Sequence, residues 1–295
     1  MYKKAVACVA VSAVVCLVIV GGALVLRQQS RPAYSMFCWD TDNMQKENRS
    51  ALDQVIKEAN INEIYQEFSQ DEAELEQTAS FLEDMNRKDI SLYALLGEAE
   101  WAYEEDGKSL VTEIEQVQKL RKTLENGQQI QGIMVDVEPY VLNEWDSGTE
   151  ERNMLMQSYL RGIAAAYNAA NDYGLELLVC IPLFYNATCP EVLETLISEH
   201  CDGIAVMNYN RENEYAQMKD EVEMARKYQK RVICIYELQQ PGKHDLTDIN
   251  TYYHAGLKVL WASRETLEQQ FAYERLSFSY HYYDPLQELL EQLPQ

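Results

Sequence analysis

The chain has 295 residues, with 25 Lys and Arg against 48 Asp and Glu and a formal net charge of -23. At 47 % hydrophobic and 10 % aromatic residues it can fill a large core, which excludes wholesale disorder. The acid excess excludes nucleic acid and anionic lipid as partners held by charge, because both need a basic footprint.

In chain order, Lys3 and Lys4 come first, then the uncharged run Ala5–Leu26, then Arg27. As a helix this run spans about 33 Å, enough for a hydrocarbon core of ~30 Å. It is longer than the apolar stretch of a cleaved signal peptide, and its end, Leu24-Val25-Leu26-Arg27, offers no small-x-small cleavage site. The pattern predicts a transmembrane signal-anchor over 1–27, a polar linker over 28–33 and a single domain over 34–295. The leading lysines favour one crossing of the cell membrane with that domain extracellular.

Beyond the linker, eight short apolar runs alternate with amphipathic stretches. The runs are Tyr34–Trp39, Ile61–Phe68, Ile90–Leu96, Ile130–Val137, Leu175–Phe184, Gly203–Asn208, Arg231–Tyr236 and Leu276–Tyr283. Helical spacing marks Glu72–Asn86, Ser109–Glu125, Glu151–Asp172, Pro190–Glu199, Glu214–Tyr228 and Asp248–Tyr273. Runs that are apolar throughout, not alternating, suit strands buried on both faces of a parallel sheet. Eight such units predict an α/β chain folded as a single (β/α)8 TIM barrel after the N-terminal membrane helix. The first strand leads into Cys38-Trp39-Asp40-Thr41-Asp42-Asn43 without a glycine, which excludes a dinucleotide-binding fold.

Cys38, Cys180, Cys189, Cys201 and Cys234 lie beyond the anchor, form no CxxC and fall mostly in apolar runs. They are expected to be buried thiols, with a Cys189–Cys201 disulfide left open. His200, His244, His254 and His281 make no HxH or HExxH pair, so no metal and no cofactor is expected.

Barrel chemistry gathers where strands end. Those positions here carry Trp39-Asp40, Glu67, Glu98 with Trp101, Asp136 to Tyr140, Phe184-Tyr185, Asn208-Tyr209, Tyr236-Glu237 and His281-Tyr282. Acids that bond hydroxyls and flat rings that stack on C–H faces suit a neutral carbohydrate. Trp39, Asp40, Trp101, Tyr140, Tyr185, Asn208, Tyr209 and His281 are therefore candidate substrate-binding residues. The strongest local signal is Gly132-Ile133-Met134-Val135-Asp136-Val137-Glu138. Strand alternation puts Asp136 and Glu138 on one face, where mutual repulsion and burial hold a proton on the pair.

Asp136-Val137-Glu138 and Met207-Asn208-Tyr209-Asn210 resemble the corresponding segments of family 18 chitinase-like barrels. The resemblance implies Glu138 as proton donor, Asp136 as support for a substrate N-acetyl group, and Tyr209 against the reacting sugar. The chain departs from that pattern upstream, where Gln131 and Met134 replace aspartates, at Asn210, and in a last strand without tryptophan. It is also similar to retaining glycosidases of the large barrel clan, which implies Glu138 as acid/base and Glu237 as nucleophile, although Val137 stands where that clan has Asn. Catalytic candidates are thus Glu138, Glu237 and Asp136, with Glu237 favoured as the second group because it can reach the far side of a bound sugar. Together these features lead to the expectation of a membrane-anchored extracellular protein of glycoside hydrolase type that cleaves or recognises a cell-wall or other glycan. The alternative is an inactive glycan-binding barrel.

Overall fold

Eight parallel strands close on themselves in sequence order, each hydrogen-bonded to the next and β8 to β1, in the computed structural model. The structure describes residues 34–69, 74–124 and 129–293. The signal-anchor and linker expected over 1–33 lie outside the described residues. Among the described residues no helix is long and apolar enough to cross a membrane.

The strands are β1 Tyr34–Cys38, β2 Glu63–Gln66, β3 Ser91–Leu96, β4 Gly132–Val135, β5 Glu176–Pro182, β6 Gly203–Met207, β7 Arg231–Glu237 and β8 Leu276–His281. One longer helix follows each: α1 Arg49–Ala59, α2 Leu75–Arg87, α3 Lys108–Thr123, α4 Thr149–Asp172, α5 Pro190–Glu199, α6 Glu214–Tyr228, α7 Leu257–Phe271 and α8 Tyr283–Glu291. The (β/α)8 architecture expected from the alternating pattern is therefore present. The differences lie at edges. β2 and β4 are shorter than their apolar runs, α7 begins later than its pattern, and α1 carries a pattern that the sequence reading did not single out. Its Leu52, Val55 and Ala59, at helical spacing, are the residues it buries.

Period-2 alternation divides each strand between two cores. Outward residues such as Ile64, Leu92, Ile133 and Val179 meet the helices, joined by helix residues such as Phe81, Leu82 and Met85 on α2. Inward residues, among them Phe37, Tyr65, Tyr93, Met134, Leu178 and Ile233, fill the lumen. Burying one such side chain contributes roughly 1.5–3 kcal/mol, so this double layer is the main stabilising term.

Polar groups occupy the amino-terminal end of the lumen. Arg231 Nη2 donates to Glu63 at 2.8 Å and Arg231 Nη1 to the Tyr93 hydroxyl at 3.0 Å, while Tyr93 donates to Glu176 at 2.8 Å. Gly132 and Gly203 make the room for these groups. A Cβ at Gly132 would come within 2.8 Å of the Tyr93 ring, and one at Gly203 within 2.6 Å of Arg231 Cβ. The charges are thereby kept at the base of the barrel, opposite the mouth.

All five described cysteines are buried and free, so Cys189 and Cys201 are not joined. Among the described residues no group of three or more His, Cys, Asp or Glu is arranged to hold a metal ion.

Candidate active site

Where the strands end, a cavity of about 430 Å³ opens in the barrel mouth. β4 supplies its central acids. The strand ends at Val135, and the chain stays extended enough for Asp136 and Glu138 to face the same space. Asp136 is held by its backbone, whose N–H donates to Leu96 carbonyl at 2.8 Å at the end of β3. That approach requires Gly97, since a Cβ there would stand 2.1 Å from the Asp136 carbonyl oxygen. Pro139 then opens a 3-10 turn, Pro139–Val141, which swings Tyr140 back so that its hydroxyl donates to Glu138 Oε1. The same hydroxyl lies 3.6 Å from Met207 Sδ.

The Asp136 Oδ1 atom is buried without a hydrogen-bond partner. Burial, reinforced by the Glu138 charge, pushes the Asp136 carboxyl up to about 7, while His281 and the Cys180 thiol pull the other way. Burial raises the Cys180 thiol itself, so it stays protonated beside Asp136.

Glu237, at the end of β7, is the contrasting acid. It is 2 % exposed, yet its Oε1 accepts the Leu238 and Gln239 amides at 2.8 and 2.7 Å. Its Oε2 accepts from His281 Nδ1 at 2.9 Å and from the Gln239 side chain at 3.4 Å. Burial opposes ionisation, but the His281 hydrogen bond and charge and the Gln239 contacts outweigh it and hold Glu237 below its ordinary value. Reciprocally, His281 loses some basicity to burial and gains more from Glu237, ending above its ordinary value. Its ring packs edge-on to Phe37, with centroids 5.6 Å apart, and lies 6.2 Å from Tyr209. The site therefore combines a carboxyl at the end of β4 whose proton affinity is raised with a hydrogen-bonded Glu237–His281 pair on β7 and β8, in which each partner favours the charged form of the other.

The mouth brings together Trp39, Asp136, Glu138, Tyr140, Tyr209, Glu237 and His281 from the sequence candidates. Four others do not line it. Asn208 is a correction: alternation turns Tyr209 inward and Asn208 outward, where it is 2 % exposed and donates to Glu214 carbonyl and Cys234 Sγ. Tyr185 is 1 % exposed because the short helix Tyr185–Thr188 folds its ring against Trp145 and Phe184. Trp101 sits on the turn Ala99–Tyr103 and packs against the outer core. Asp40 is exposed, and its carboxylate accepts the Asp42 amide at 2.7 Å.

Sequence reasoning missed several wall residues. Phe37, Cys180, Met207 and Ile235 line the cavity one alternation step below the strand ends, and that step was available as a signal. Gln239, His244 and Leu246 arrive from the long β7 loop, which carries no local signal for its path.

No family model matches the sequence, and no curated protein does. Solved structures do share the fold. A chitinase from Bacteroides thetaiotaomicron superposes with a TM-score of 0.56 at 11 % identity, over 88 % of this chain and 96 % of that one. A GH18 chitinase from Cycas revoluta in complex with (GlcNAc)3 gives 0.51 at 11 % identity, over 88 % and 98 %. The spore cortex-lytic enzyme SleL of Bacillus megaterium gives 0.52 at 12 % identity, over 88 % and 73 %. The fold is that of the chitinase-like TIM barrels.

Proposed function

We propose that the chain is a glycoside hydrolase that cleaves a glycan bearing N-acetyl groups, with Glu138 as general acid and base. The observation that carries this is the pairing of Asp136 and Glu138 on one face of the β4 end, inside the mouth cavity, where burial and the Glu138 charge push the Asp136 carboxyl up to about 7. The likeness in fold to chitinases and to a cortex-lytic enzyme supports an amino-sugar polymer.

In this mechanism the proton shared by the pair passes from Asp136 to Glu138, which gives it to the glycosidic oxygen as the C1–O bond breaks and leaves Asp136 as the carboxylate. The carbonyl oxygen of the sugar's own N-acetyl group attacks C1 and forms a cyclic oxazolinium. Asp136 accepts the amide N–H and aligns that carbonyl, a positioning effect of the kind that contributes several kcal/mol to a barrier. Glu138, now a carboxylate, takes a proton from water, which opens the ring at C1 and restores the N-acetyl group. Asp136 suits this second role better than Glu237, which the sequence favoured. Glu237 is 2 % exposed, and its oxygens accept from the Leu238 and Gln239 amides, from His281 and from the Gln239 side chain, which fixes the carboxylate and lowers its nucleophilicity.

An inactive glycan-binding barrel is the second reading, favoured by Gln131 and Met134 in place of upstream acids. Glu138→Gln separates the two, assayed on a tetramer of β-1,4-linked N-acetylglucosamine. Removing a general acid costs on the order of 10²–10⁴-fold in rate. The expected outcome is that loss in kcat with tetramer affinity retained by calorimetry. Binding without turnover in the unaltered protein would instead select the binding barrel.

The same proposal places the barrel outside a cell membrane, anchored by the uncharged run Ala5–Leu26. Protease added to intact cells should release the barrel. Protection equal to that of a cytosolic marker would refute the placement.

A further inference from the structure

The resemblance on β4 leaves a physical gap. Where related barrels carry aspartates that share charge with the Asp-x-Glu pair, this chain has Gln131, which is exposed, and Met134, which is buried in the lumen. Nothing on β4 itself can balance two neighbouring carboxyls. Met134 Sδ instead accepts the Cys180 thiol at 3.5 Å, so the space below Asp136 is filled by sulfur.

A charge pair does stand elsewhere in the cavity. Glu237 and His281 are register partners on adjacent strands, β7 and β8, and both line the mouth. Their bond of 2.9 Å is anchored at one end by two backbone amides, which fixes the carboxylate without relying on flexible side chains. The imidazole is held between Phe37 and Tyr209 and has 19 % of its side-chain surface accessible. Nδ1 is committed to Glu237, and the residue lines the same cavity as Asp136 and Glu138. The groups facing this ring are Glu237 from β7, Asp136 and Glu138 from β4, Tyr209 from β6 and Tyr282 beside it on β8.

We infer that the Glu237–His281 pair is the charge-balancing element of this active site, relocated from β4 to β7 and β8. His281 is a positioning residue whose cation, kept by Glu237, restrains the proton affinity of Asp136 across the lumen. Direction follows from charge. A cation favours ionised Asp136, whereas Glu237 left without it would oppose ionisation, so Glu237 contributes by favouring the His281 cation. This also gives Glu237 a use other than nucleophile, and gives His281 one at the end of the last strand. The assignment of the reaction to Asp136 and Glu138 is the part that rests on the proposed function. The electrostatic role itself is a property of the unliganded protein.

Carbon-13 NMR titration of the Asp136 carboxyl tests it without substrate, the resonance being identified by its loss in Asp136→Asn. In His281→Gln the midpoint should rise by about one pH unit or more, because Glu237 is left uncompensated. In the double variant His281→Gln with Glu237→Gln it should fall part of the way back, which a merely structural perturbation would not produce. An Asp136 midpoint unchanged in His281→Gln overturns the inference. Should the variants not fold, nitrogen-15 titration of the unaltered protein decides: His281 protonated at pH 7 supports the pair, and a neutral ring there overturns it. Turnover of the N-acetylglucosamine tetramer, followed in parallel, keeps the two claims apart. Its absence from the unaltered protein counts against the proposed reaction and leaves the titration result standing.

Discussion

Burial and the Glu138 charge both disfavour the Asp136 anion and push its carboxyl from the ordinary 3.8 up to about 7. The folded protein therefore binds this proton more tightly than the unfolded chain does. That contribution to stability is full below about pH 4 and is lost as pH rises through 7. Asp136→Asn removes the titration while keeping the shape. The variant should melt close to the unaltered protein at pH 4 and above it at pH 8, by the equivalent of on the order of 1–4 kcal/mol. A melting difference independent of pH would show that Asp136 does not carry the raised proton affinity. The pairing of Asp136 with Glu138 was legible in sequence, since alternation alone puts them on one face. The pairing of Glu237 with His281 was not, because their meeting is set by the β7–β8 register, and 43 intervening residues carry no trace of it. Asn208 misled for a related reason: a polar residue at a strand end looks available, and only the phase of β6 decides that Tyr209 faces the mouth.

Between elements, the junction of β3 and β4 controls where the acids stand. Leu96 carbonyl accepts the Asp136 amide, and Gly97 passes so close that any side chain collides with backbone. Gly97→Ala must push the start of the β4 loop away by a large part of an ångström. A misplacement of about 1 Å can cost on the order of 10²-fold in rate. The expected result is a loss of kcat of that order with the circular dichroism of the barrel retained, and an unchanged kcat would contradict it. Strand and helix identities were readable from hydrophobic period, because each element buries one side or both against a continuous core. Their ends were less readable. β4 stops at Val135 although its apolar run continues to Val137, since the ladder to β3 and β5 ends where the chain turns into the cavity. The path of the β7 loop, which delivers His244 and Leu246, depends on tertiary contacts and left no local pattern.

At the scale of the molecule, the barrel separates two kinds of polar chemistry. Arg231, Glu63, Glu176 and Tyr93 close the amino-terminal end with mutually satisfied bonds, whereas the carboxyl-terminal end keeps an unpartnered Asp136 oxygen in an open cavity. Satisfied buried charges stabilise position. The acidic surface, from a net charge of -23, is consistent with a neutral glycan entering that mouth. The measurement that bears most directly on the proposed reaction is the dependence of turnover on the substrate's N-acetyl group. Two aryl β-glycosides suffice, one of N-acetylglucosamine and one of glucose, with the first product anomer followed by proton NMR. Cleavage of the N-acetyl substrate alone, releasing the β-anomer first with no glycosyl adduct on Glu237 by mass spectrometry, is the predicted result. Comparable cleavage of the glucoside, or a covalent adduct on Glu237, would contradict it.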